Sequence, residues 1–143
     1  MEKVLDKICN YDDAEIMMVL TEIKNIIDNG GVHNFLLAGD LNCHFERDNP
    51  FTNLIKDFLQ SLNLQILWDI GDPRIDRVDF TYCSIKNEVA SYSIIDHFAV
   101  NEILLDKLKS AGVIHSGENL SNHEVIFIKL NIGKIDPDRK SVV

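Results

Sequence analysis

Between Tyr11 and Asn29 the apolar residues Ile16, Val19, Leu20, Ile23, Ile26 and Ile27 recur at the spacing of one helix face. Asp12, with Glu15 three residues on, supplies a start signal and Gly30-Gly31 a stop, so the pattern predicts a helix over 11–29. Phe35-Leu36-Leu37-Ala38 is an unbroken apolar run ending at Gly39-Asp40; it reads as a strand buried on both faces, with Asp40 where the chain emerges. Asn49 as cap and Pro50 at the first helical position open a second helix, whose apolar face is Phe51, Leu54, Ile55, Phe58, Leu59 and Leu62. Further strands are predicted at 65–68, 80–83, 93–100, 111–115 and 124–130, with a short helix at 102–109. The segment 69–79 holds six charged residues, a glycine and a proline, and is expected to be a surface loop. This order of elements predicts an α+β fold, a mixed sheet covered by helices on one side.

A length of 143 residues fits one domain. The chain turns polar after Gly133, which places the domain at 1–132 and a polar tail at 133–143. Hydrophobic residues are 45% and charged residues 26%, ordinary globular usage that excludes a disordered or collagen-like chain. Fourteen basic against 23 acidic residues leave a net charge of −9, so no electrostatic grip on nucleic acid is written in the total. Cys9, Cys43 and Cys83 are too few and too far apart for a disulfide framework or a paired-cysteine zinc site. With no apolar run of membrane-spanning length and no signal-peptide centre near Met1, an intracellular location, nuclear or cytoplasmic, is expected.

Three short segments carry candidate chemistry. Gly39-Asp40-Leu41-Asn42 sets a carboxylate and a carboxamide two positions apart where a strand ends, suited to a general base and a phosphate-oxygen donor; turns use the same residues for structural reasons. Asp96, in Ser93-Ile94-Ile95-Asp96, sits within an apolar stretch, and a buried carboxylate needs a partner, for which a histidine is a natural choice. Ser121-Asn122-His123 stands directly before the strand Val125-Ile126-Phe127-Ile128 and offers that histidine. The remaining histidines, His33, His44, His97 and His115, have no recognisable constellation and are read as structural.

In order and spacing these segments resemble the endonuclease/exonuclease/phosphatase superfamily, the DNase I-like fold, and above all its non-LTR retrotransposon endonucleases. Gly39-Asp40-Leu41-Asn42 is similar to the family's Gly-Asp-Phe/Leu-Asn, Ser93-Ile94-Ile95-Asp96 to its Ser-x-Ile-Asp, and Ser121-Asn122-His123 to its Ser-Asp-His; Phe80-Thr81-Tyr82 and Phe98-Ala99-Val100 are similar to the usual flanks. The resemblance implies metal-assisted hydrolysis of DNA phosphodiesters by water, with Mg²⁺ or Mn²⁺ as cofactor and DNA as partner. It implies that Asp40 activates the water, that Asn42 positions the scissile phosphate and with Ser93 binds the substrate, and that Asp96 orients His123, which stabilises charge on the phosphoryl oxygen.

Two departures temper this expectation. Asn122 stands at the family's metal-neighbouring Asp position, which removes a charge, and the family's N-terminal half, with its Asn, metal-binding Glu and catalytic Tyr or His, has no counterpart before Tyr11. The chain therefore reads as a partial domain, the C-terminal half of such a sandwich, with weak metal binding and little or no activity alone. A non-catalytic interaction module, self-associating through an exposed sheet face or edge, is the alternative. An unrelated metal hydrolase would instead need a ligand set such as Asp40, His44, Asp96 and His123.

Overall fold

The structure, a computed structural model, describes residues 13–31 and 33–133. Cys9, the Asp12 start signal and the tail from 134 lie outside the described residues. The first helix, α1, is Asp13–Asn29, followed by strand β1, Leu36–Asp40, and helix α2, Pro50–Ser61. Strand β2 is Gln65–Ile66 and runs straight into a single 3₁₀ turn, Leu67–Asp69. Then come β3, Tyr82–Lys86; β4, Val89–Ser93; β5, Asp96–Val100; helix α3, Glu102–Asp106; β6, Leu108–Ile114; and β7, Val125–Leu130. Among the described residues no helix is long and apolar enough to cross a membrane.

The local signals work through hydrogen bonds that can be named. Asn49 caps α2, its Oδ1 accepting from the Thr52 N–H at 2.8 Å, and Pro50 starts the helix where no N–H is needed. Asn101 caps α3 in the same way, accepting from the Leu104 N–H at 2.9 Å. On α1 only part of the expected apolar stripe is used. Leu20 is buried and Ile16 packs beside it, whereas Val19 and Ile26 are exposed.

Strand β5 is central in a sheet of order β1-β5-β2, antiparallel to both neighbours. Every residue of β5 is buried. It, and not β1, is the strand covered on both faces; β1 is half-buried, with Ala38 and Asp40 exposed, and among the described residues it is paired along one edge only. Alternation along the pleat sorts the core into two layers. Leu37, Ala99 and Ile66 pack under α1 and α2, against Leu20, Ile55 and Leu59. Leu36, Phe98 and Val100 face the other way and meet Ala111, Ile126, Ile128 and Leu130 of the β6–β7 pair. The result is helices over sheet over sheet, an α+β architecture.

The second sheet layer is extended by isolated bridges. Tyr82 bridges His123, joining the β3–β4 hairpin to the start of β7, and Ile75 bridges Ala111 of β6. The acidic loop is thus fastened at its middle: Arg74 grips Asp72 through two bonds of 2.9 and 2.7 Å and donates to the Leu108 carbonyl at 2.9 Å. The strand expected over 93–100 is two strands, β4 and β5, interrupted at Ile94-Ile95. That interruption matters for the site.

Candidate active site

The register of β1 on β5 places Asp40 directly opposite Asp96. Facing positions on an antiparallel pair project to one side, so two carboxylates meet at the end of the sheet, at the mouth of the space between the two sheet layers. Like charges so placed repel, and His123 stands between them. Its Nδ1 lies 3.0 Å from one Asp96 oxygen and 3.2 Å from the other, and its Nε2 lies 3.9 Å from Asp40 Oδ2. The expected pairing of Asp96 with His123 is therefore present. With Asp96 accepting, Nδ1 carries the proton and Nε2 is the nitrogen turned toward Asp40.

Burial grades across the trio. Side-chain exposure is 12% for Asp96, 16% for His123 and 29% for Asp40, so the orienting carboxylate is deepest and Asp40 reaches furthest toward solvent. Each is held by its surroundings. Asp40 Oδ1 accepts the Asn42 backbone N–H at 2.8 Å, closing an Asx turn in which Asn42 takes a left-handed φ of 52°. The His123 N–H donates to Ser121 Oγ at 3.1 Å, and the Tyr82 ring lies against the imidazole with centroids 4.8 Å apart. Trp68 donates its indole N–H to the Asp96 carbonyl at 3.0 Å.

Asn42 is thus beside Asp40. Ser93 closes β4 opposite Tyr82, its carbonyl accepting from the Thr81 N–H at 2.9 Å. Asn122 is exposed, one residue before His123, and its carbonyl accepts from the Cys83 N–H at 3.0 Å. Asp40, Asp96 and His123 each offer a ligand atom, all within 4.8 Å of one another, and among the described residues this is the group able to hold a metal ion. His44 is not in it. Its Nδ1 accepts from the Ile94 N–H at 3.0 Å, which removes the four-residue ligand set considered for an unrelated hydrolase. Tyr82, against the His123 ring, belongs to the Phe80-Thr81-Tyr82 flank; Trp68, bonded to the Asp96 carbonyl, carries no sequence signal of that role, because its partner lies far away along the chain.

No protein-family model matches the chain, and no curated protein does. Among solved structures, it superposes on the "Endonuclease domain of TRAS1, a telomere-specific non-LTR retrotransposon" with a TM-score of 0.67. The fold is similar to that of a retrotransposon endonuclease domain. Sequence identity over the match is 21%, and the match covers 87% of this chain and 56% of that one. The DNase I-like resemblance drawn from the three motifs thus has a counterpart in the backbone, and the chain spans little more than half the length of that domain.

Proposed function

We propose that this chain is a partial endonuclease-type domain whose site belongs to metal-dependent phosphodiester hydrolysis of DNA, with little or no activity by itself. The supporting observation is the convergence of Asp40, Asp96 and His123, residues of three separate motifs, within 4.8 Å. Asp40, the most exposed of the three, takes the proton from an attacking water. Asn42, fixed by its backbone bond to Asp40, offers a carboxamide donor to a non-bridging phosphate oxygen, and Ser93, at the end of β4, is the second substrate-binding residue. Asp96 holds the His123 ring through its Nδ1–H and supports the imidazolium; with Nε2 protonated as well, that N–H stabilises charge on the phosphoryl oxygen as the P–O bond breaks, and the departing oxygen takes its proton from solvent water.

A divalent ion fits the donor set in kind, since two carboxylates and an imidazole suit Mn²⁺ and tolerate Mg²⁺. When bound, such an ion supplies Lewis-acid polarisation of the phosphate. Affinity should be weak, because Asp96 is already committed to His123 and Asn122 brings no charge. A net charge of −9 adds a general repulsion of DNA.

Nicking of supercoiled DNA in Mg²⁺ or Mn²⁺ tests this reading. Wild-type protein is expected at or near background, Asn122→Asp above it, and the double variant with His123→Ala back at background. An Asn122→Asp rate no higher than that of the double variant would remove the hydrolase reading.

One observation favours a second reading, a non-catalytic module that pairs with another copy of itself. Among the described residues strand β1 has a partner on one edge only, and Ala38, on the side facing the second sheet layer, is exposed.

A further inference from the structure

The interruption between β4 and β5 leaves three successive backbone N–H groups, those of Ile94, Ile95 and Asp96, to be satisfied at a point where the chain is buried or nearly so. Side chains take all three. The Ile94 N–H donates to His44 Nδ1 at 3.0 Å. The N–H groups of Ile95 and Asp96 both donate to Thr81 Oγ1, at 3.0 and 3.1 Å. Thr81 is completely buried, and its own backbone ties it in on both sides, its N–H to the Ser93 carbonyl and its carbonyl to the Glu124 N–H. The carbonyl of Ile95 in turn accepts from the Leu41 N–H at 2.9 Å.

We propose that His44 and Thr81 are positioning residues of the site: together they build the break that ends β4 and aims the Asp96 carboxylate at His123. Without the break, a continuous strand over 93–100 would keep its N–H groups in a ladder and carry β4 straight on into β5. With it, the backbone is held by two side chains, each rooted next to a site motif. His44 lies two residues beyond Asn42, and Thr81 lies one residue before Tyr82, which both bridges His123 and rests against its ring. The break is therefore referenced simultaneously to the Asp40–Asn42 turn and to the His123 strand. Both acceptors are specific in kind. His44 can accept only with Nδ1 unprotonated, so its ring proton sits on Nε2, which faces Glu46 at 3.7 Å. Thr81 must supply an oxygen, because the isosteric valine fills the same space and leaves two buried donors without a partner.

What is positioned is the site of the proposed hydrolase, so the purpose assigned here rests on that reading; the geometry does not. Paired variants separate acceptor from bulk. His44→Asn places an oxygen where Nδ1 was and His44→Phe does not; Thr81→Ser keeps the oxygen and Thr81→Val does not. Two readouts are made on the full chain by NMR: exchange protection of the Ile94, Ile95 and Asp96 amides, and the ring-nitrogen shifts of His123, which report its bond to Asp96. The expected result is that His44→Phe and Thr81→Val lose amide protection and show a shifted or multiple His123 signature, while His44→Asn and Thr81→Ser stay close to wild type. Unchanged His123 shifts in His44→Phe and Thr81→Val would overturn the proposal, as would equal loss in all four variants, which would mean packing and not hydrogen-bond acceptance. If Thr81→Val does not fold, the His44 pair decides alone. Because neither readout needs turnover, failure of the nicking experiment leaves this result standing on its own.

Discussion

A single charged pair shows how much a residue can do in a loop that looks unstructured. Arg74 holds the Asp72 carboxyl down to about 2, chiefly through their side-chain hydrogen bonds, and the same guanidinium reaches the Leu108 carbonyl at the start of β6. A depressed carboxyl pKa contributes stability that is complete above the unfolded value of 3.8 and is lost as pH falls toward about 2. Asp72→Asn is therefore expected to lower the melting temperature at neutral pH, with the gap to wild type closing across that acid window. A gap that stays constant down to the lowest pH would show that the pair does not clip the loop. The residue scale is also where the sequence speaks most clearly about the site. A carboxylate inside Ile94-Ile95-Asp96-His97-Phe98 demands a partner on physical grounds, and His123 supplies it. The bonds that Thr81, Trp68 and His44 make are not legible in sequence, because each is decided by a distant backbone group: the flank Phe80-Thr81-Tyr82 does not announce that its threonine accepts two N–H bonds from residues fourteen and fifteen positions on.

Among the elements, the helices and the buried strands follow from pattern and capping, whereas the hairpin does not. Val-Ala-Ser-Tyr-Ser has no apolar alternation, and four of its five residues are exposed, so β4 exists through its pairing with β3 and not through burial. Its turn is correspondingly visible as strain. Asn87 and Glu88 form a two-residue connection with φ of 50° and 65°. Asparagine tolerates that region; glutamate does not, at a cost of about 1 kcal/mol or more. Glu88→Gly is expected to stabilise the protein by about 1 kcal/mol in urea unfolding, net of the freedom glycine adds to the unfolded chain. A loss of stability would mean that the Glu88 side chain holds the hairpin in some other way. The predicted merger of 93–100 into one strand failed for a related reason: apolar continuity through Ile94 and Ile95 reads as strand, while the side-chain acceptors that interrupt it come from elsewhere in the chain.

For the whole molecule, the three layers set what the site can do. Among the described residues β1 has no strand on its far side, and the chain matches 56% of the endonuclease domain it superposes on. If that edge serves self-association, the chain sediments as a dimer and Ala38→Lys returns it to a monomer; a wild-type monomer at high concentration removes the second reading. At the centre of the proposed function stands one site: Asp40, Asp96 and His123, supplied by three motifs, together fit for a divalent ion and a phosphate. Mn²⁺ titration followed on the histidine ring protons tests it most directly, since paramagnetic broadening falls off steeply with distance from the ion. Weak binding that broadens His123 before His33 and His115 is expected, with the preference abolished by Asp40→Asn. Broadening that spreads evenly over the histidines, or a His123 effect indifferent to Asp40→Asn, would contradict it.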